Sequence, residues 1–237
     1  MSVIQPVRIH AEHIGSFVRP ATLLDAIRAH RAGSLDAAAL ARIVDQSIRD
    51  IVAFQESIGL PTITDGEFRR RSWSAGFIDA VEGFGLRDGK LGFRSEGKVI
   101  GVAASPYAKA QLRRKGRIVA DDFRFLKSVV KRGIPKVTIA SPAVMHFFLG
   151  PQAFETSVYK DREAFFGALT QIFRDEIADL AKEGCTWLQI DDTALPCNCD
   201  TQVRGDVAER GENADELTER YVRLINDSIA SKPATMR

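Results

Sequence analysis

Three short polar clusters carry residue types able to do chemistry. His13-Ile14-Gly15-Ser16 lies near the end of an apolar-flanked run, Arg8 to Phe17. Its glycine lets a ligand approach the backbone, and Ser16 offers a hydroxyl and an amide to a carboxylate; the plain alternative is a turn. Asp65-Gly66-Glu67-Phe68-Arg69-Arg70-Arg71 sets two acids around a glycine, ahead of three arginines. That mixture suits a zwitterionic ligand, and equally a solvated turn that opens a basic helix. Gln189-Ile190-Asp191-Asp192-Thr193 delivers an acid pair from an apolar strand. A carboxylate there must be solvated, paired or liganded, because burying it bare is costly; the alternative is an N-cap for the following loop. Cys197-Asn198-Cys199 is closer-set than the usual zinc pair and has no second Cys or His pair nearby, so it reads as ordinary thiols. His146, inside Val144-Met145-His146-Phe147-Phe148, reads as a packed imidazole, and His10 and His30 carry no assignment.

The elements that must position these clusters alternate between helix and strand. Ala21 to His30 has helical spacing at Leu23, Leu24 and Ile27. Leu40, Ile43, Val44, Ile48, Ile51, Val52 and Ile58 follow the i, i+3, i+4 rhythm of a helix with one buried face, which Gly59 would end. Pro61 to Thr64 is the next strand, leading into Asp65-Gly66-Glu67. Residues 83–101 hold Gly83, Gly85, Gly89, Gly92, Gly97 and Gly101, and read as an inserted β-hairpin, placed as a lid. Gly83-Phe84-Gly85 starts a dinucleotide-like pattern, but Asp88 takes the third glycine position and no helix follows. Asp121 to Val130 is a short helix with Phe125, Leu126 and Val129 facing inward, and Lys136 to Ala140 a strand before Ser141-Pro142. Asp161 caps a long helix to Lys182, ended by Gly184. Trp187 to Ile190 is a buried strand, and Asn213 caps a helix through Leu217, Tyr221, Leu224, Ile225 and Ile229. Helices alternating with short apolar strands indicate an α/β fold with a parallel sheet, in which active sites gather at the C-terminal ends of strands.

Composition bounds the function classes. The 237 residues carry 33 Lys+Arg against 31 Asp+Glu, a formal charge of +2, with 45% hydrophobic and 27% charged residues. This argues for a folded globular protein and against one whose main partner is nucleic acid. The longest uncharged apolar stretch, Val137 to Gly150, falls short of the roughly 20 residues a membrane span needs. The first residues show no signal-peptide core, and three cysteines make no disulfide framework, so a reducing cytoplasmic setting is expected.

Taken in order, Ile14-Gly15-Ser16, Asp65-Gly66-Glu67, Ser141-Pro142 and Gln189-Ile190-Asp191 resemble one family, with His13 to Pro20 and Asp65 to Arg70 the longest similar runs. This is the C-terminal catalytic barrel of cobalamin-independent methionine synthase, and more closely its short stand-alone bacterial relatives. The resemblance implies a (β/α)8 TIM-type barrel with a catalytic zinc. It implies methyl transfer from a methyltetrahydrofolate-type donor to the thiol of homocysteine, giving methionine. A free thiol is only a few per cent thiolate at neutral pH, and coordination to zinc deprotonates it. Carried over, Ile14, Gly15 and Ser16 would contact the homocysteine carboxylate, and Glu67 and Asp191 its ammonium. Phe148 would lie against the folate ring, where the family has a tryptophan. Asp192 and Thr193 stand where the family has glutamate and proline. The family's zinc ligands come from strands six to eight, and Lys232 to Arg237 fall where the sixth strand is expected to begin. Residues 1–237 are thus expected to form one partial barrel domain of about five βα units. No catalytic group or metal ligand is expected within the chain, and the zinc ligands are expected beyond Arg237. The isolated chain is therefore expected to be without zinc and turnover, and its open sheet edges should drive self-association or bind a complementing chain. Two alternatives remain: a non-catalytic truncated or split barrel that needs a partner, and an alkyltransferase acting on another small thiol such as coenzyme M. The acid pair favours an amino-acid thiol, since a sulfonate thiol has no ammonium.

Overall fold

The computed structural model describes residues 11–72, 75–89, 93–95, 98–101 and 104–237. Its two longest helices start where an aspartate satisfies an amide of the first turn. Asp36 accepts from the Ala39 N–H at 2.7 Å ahead of α2 (Ala37–Ser57), and Asp161 from the Ala164 N–H at 2.8 Å ahead of α6 (Arg162–Lys182). Gly59 and Gly184 follow their ends in the left-handed conformation. Before α2 lies α1 (Ala21–Arg31), and α2 leads into β1 (Thr62–Ile63). Then come α3 (Ala75–Ala80), β2 (Val81–Asp88), β3 (Phe93–Ser95), β4 (Lys98–Gly101) and β5 (Ala104–Arg114). The chain continues through α4 (Ala120–Val129), β6 (Ile134–Pro135), β7 (Val137–Ala140) and α5 (Val144–Phe147). After α6 follow β8 (Leu188–Asp191), α7 (Ala194–Cys197), α8 (Thr201–Glu209) and α9 (Ala214–Ile229), the last capped by Asn213.

A single Lys136 separates β6 from β7, and the two act as one strand with a neighbour on each side. β6 pairs parallel with β1, β7 pairs parallel with β8, and the Lys136 N–H bridges to Ile63 O at 2.8 Å. Among the described residues this gives parallel strands at three positions, fewer than the about five read from the sequence. The apolar-flanked run 8–17 forms no strand over 11–17, and its beginning, with His10, lies outside the described residues. That segment instead runs beside the sheet, its Phe17 N–H bonded to Gly66 O. β8 is half-buried rather than buried, because a strand flanks it on one side only; on the other, Arg237 exchanges hydrogen bonds with Thr186 and Leu188.

The antiparallel β2–β5 ladder spans 81–114, longer than the glycine-rich 83–101. Gly83, at φ +99°, sits in its bulge, where a Cβ would come within 2.6 Å of Gln111 O. The ladder packs against the loop before α6: Ala108 is bonded to Ala153 and Glu155, and Tyr159 accepts from the Leu112 N–H. The largest core joins this ladder to α5, α6 and α9 around Phe77, Phe165, Phe173 and Tyr221. A second core packs α1, α2 and α4 on β1, with Leu23, Ile48, Ile63 and Leu126 fully enclosed. In α4 the deeply buried aromatic is Phe123, while Phe125 is half-buried beneath Arg49 and Arg69. Each such side chain contributes roughly 1.5–3 kcal/mol by leaving water. Among the described residues no helix is long and apolar enough to cross a membrane.

Candidate active site

Side chains of alternate strand residues separate the helix-facing core from a polar face. Ile63, Ile139 and Ile190 pack into the cores, whereas Lys136, Gln189 and Asp191 carry a hydrogen-bonded polar chain. The segment after β1 bends sharply at Gly66 (φ +68°) and Glu67 (φ +58°). Glu67 is the non-glycine residue with positive φ among those described, a conformation that costs about 1 kcal/mol and persists only where surroundings impose it. Here they do. Its N–H donates to Asp65 Oδ1 at 2.8 Å, its carbonyl accepts from Arg19 at 3.0 Å, and Arg19 also holds Arg70 O at 2.8 Å.

The Glu67 carboxyl is 8% exposed. Its Oε2 accepts from Ser16 Oγ at 2.7 Å and pairs with Arg70, which also donates to Ser16 Oγ at 3.1 Å. Its Oε1 is buried and has no hydrogen-bond partner among the described residues. Burial pushes its pKa up; Ser16 and Arg70 pull it back, and the charges of Asp191 and Asp65 push it further up. The structure therefore brings Ser16, Glu67 and Asp191 into one electrostatic neighbourhood. Gly15 sits beside them at φ +84°, while the Ile14 side chain points to solvent, 71% exposed. The Gly15 and Ser16 amides donate to no protein acceptor among the described residues.

Asp191 receives the Gln189 amide at 2.5 Å, and its backbone carbonyl accepts from the Ser141 N–H. Asp192 takes the capping part, accepting from the Leu195 N–H at 2.7 Å at the start of α7. Phe148, which follows α5, is buried and edge-on to Phe147. His146 is buried and bonded to the Tyr221 hydroxyl at 2.8 Å, and burial holds its pKa well below the ordinary value. Burial likewise raises the Cys197 thiol and pushes Cys185 to about 11, leaving both poor thiolates.

Sequence reasoning missed several partners. Arg19 pins the Glu67 turn, Lys136 ties the 12–16 segment to Gln189, and Asp122 lines a cavity of about 300 Å³ with Arg69, Arg70 and Thr138. Asp122 was legible only as a helix-start acid. Burial, aided by Asp65, raises its pKa to about 6 against the pull of Arg69.

A model of the cobalamin-independent synthase catalytic domain matches residues 9–217. The chain belongs to that family. Uncharacterized proteins YxjH and YxjG of Bacillus subtilis (strain 168) are 31% and 30% identical to it, each over 94% of this chain and 58% of the relative. A protein named methionine synthase from Saccharolobus solfataricus is 27% identical over 77% of this chain and 52% of its own length. The crystal structure of a putative vitamin-B12 independent methionine synthase from Listeria monocytogenes superposes with a TM-score of 0.77 at 29% identity, covering 98% of this chain and 64% of that one. The synthase-family chain thus spans little more than half the length of the curated relatives named here. The described residues do not fit a catalytic zinc: no group of three or more His, Cys, Asp or Glu side chains among them is placed to hold a metal ion.

Proposed function

We propose that the polar face formed by the 14–16 segment, the Glu67 turn and the end of β8 binds the amino-acid end of homocysteine for transfer of a methyl group to its sulfur. The donor's N–CH3 bond breaks, an S–CH3 bond forms, and the donor nitrogen ends with the proton that the thiol gives up. The observation that carries this reading is Glu67: a strained, buried carboxyl with one oxygen unpartnered and the Asp191 charge raising its pKa. Two neighbouring carboxylates repel, and an ammonium placed between them relieves that repulsion. Ser16's hydroxyl is committed to Glu67, so the homocysteine carboxylate falls to the Gly15 and Ser16 amides and the Arg70 guanidinium. Holding both ends of the amino acid fixes where its sulfur lies.

In this reading residues 1–237 form one partial barrel domain, with 83–101 within the inserted hairpin, and a methyltetrahydrofolate-type compound is the donor. The catalytic zinc of the family resemblance takes its ligands from outside the described residues, and Phe148 is the aromatic that would lie against the donor ring. The test is calorimetric titration of homocysteine into the chain and its Glu67→Gln and Asp191→Asn variants. Each substitution removes a charge-assisted contact and is expected to weaken binding by about 2 kcal/mol, roughly 30-fold. Unchanged affinity in both variants sinks the assignment and leaves a thiol without an amino group, or no thiol at all.

A further inference from the structure

We propose that Lys136 is a positioning residue that ties the 12–16 segment to the end of β8, setting the angle of the Asp191 carboxylate through Gln189. The inference rests on the homocysteine reading above. Lys136 sits between β6 and β7 with its side chain 1% exposed. Its Nζ donates to Glu12 Oε1 at 2.6 Å, to His13 O at 2.6 Å and to Gln189 Oε1 at 2.9 Å. An ammonium has three N–H donors and no acceptor, so all three are used.

Each contact does something different. Glu12 supplies the counter-charge that a buried cation requires. The His13 carbonyl anchors the start of the substrate-facing segment, whose other end is held by the His13 ring stacked on Phe17 and bonded to Gly15 O. The Gln189 contact carries the consequence for recognition. With its oxygen taken by Lys136, the amide must present nitrogen to its other side, where it donates to Asp191 Oδ1 at 2.5 Å. Were the amide reversed, its oxygen would face the carboxylate and repel it. A methionine of similar volume would fill the space without the desolvation cost of an ion, so packing alone does not account for a lysine here. Lys136 touches no substrate; it acts through the groups that do.

The experiment compares homocysteine with 4-mercaptobutyrate, which keeps the thiol and carboxylate and lacks the amino group. Both are titrated into the wild-type chain and into Lys136→Met and Gln189→Leu variants. The wild type is expected to prefer homocysteine, and both variants to lose about tenfold of that preference, the effect of one misplaced charge-assisted contact. A general loss of folded protein weakens both thiols equally and leaves the ratio unchanged, which separates positioning from stability. If Lys136→Met does not fold, Gln189→Leu decides alone. A preference retained in the folded variants overturns the role of Lys136 and leaves the homocysteine reading standing. A wild type without preference overturns that reading, and this inference with it.

Discussion

At Asp122, one carboxyl is expected to make stability depend on pH. Its pKa rises from 3.8 to about 6, chiefly by burial, so the folded state holds this proton more tightly than the unfolded chain. Its stabilising contribution is therefore full below the unfolded value near 4 and is lost as pH rises through about 6. The Asp122→Asn variant is expected to be more stable than wild type at pH 8 by about 1 kcal/mol, after discounting for solvent screening, or roughly 2–4 °C. At pH 4.5 most of the gain should be gone, since Asn then replaces a largely protonated acid whose ion pair with Arg69 is already neutralised. Thermal unfolding at both pH values checks this, and a pH-independent difference would refute it. The same scale shows what residue types leave unsaid. Asp191 and Asp192 are adjacent acids, yet one faces Gln189 and the other caps α7, because successive residues leaving a strand point in different directions.

Elements that announce themselves by period and cap formed where the spacing put them. α2, α6 and α9 each carry an apolar stripe and an Asp or Asn whose side chain reaches a first-turn amide, signals local enough to survive without tertiary context. α4 lacks a side-chain cap of its own. Glu176, on α6, supplies one: its carboxylate accepts from the N–H groups of Ile118, Val119 and Ala120, each at 2.8 Å, and pairs with Arg114 at 2.9 Å. No local pattern reveals a cap contributed from 56 or more residues away. The Glu176→Ala variant leaves three amides and part of a buried guanidinium unpaired. It is expected to cost about 3 kcal/mol. Chemical denaturation measures the loss, and hydrogen exchange should show it concentrated at 118–120; a loss below about 1 kcal/mol would contradict the cap. Glycines marked the hairpin, but its length was set by β5, whose pairing with β2 and with the loop before α6 was invisible in composition.

For the whole molecule, the parallel strands leave edges without partners among the described residues. β1 is bonded only to β6, and β8 beyond Leu188 has no strand on its outer side. Val18 at 93% and Ile58 at 56% exposure add apolar surface. Open edges and apolar patches are templates for association. Sedimentation velocity is therefore expected to show mass rising with concentration; a monomer across the whole range would refute the idea. What the sequence determined by itself was local: helix periods and caps, the α/β class, and motifs whose order carries the family resemblance. Only the tertiary structure decided that Ser16, Arg70 and Asp191 act on one Glu67 carboxyl, that Phe148 is buried, and that a buried lysine bonds to Glu12, His13 and Gln189 at once. Those facts depend on contacts between residues distant in the chain, and on which charges are taken out of water together. Spacing does not encode either.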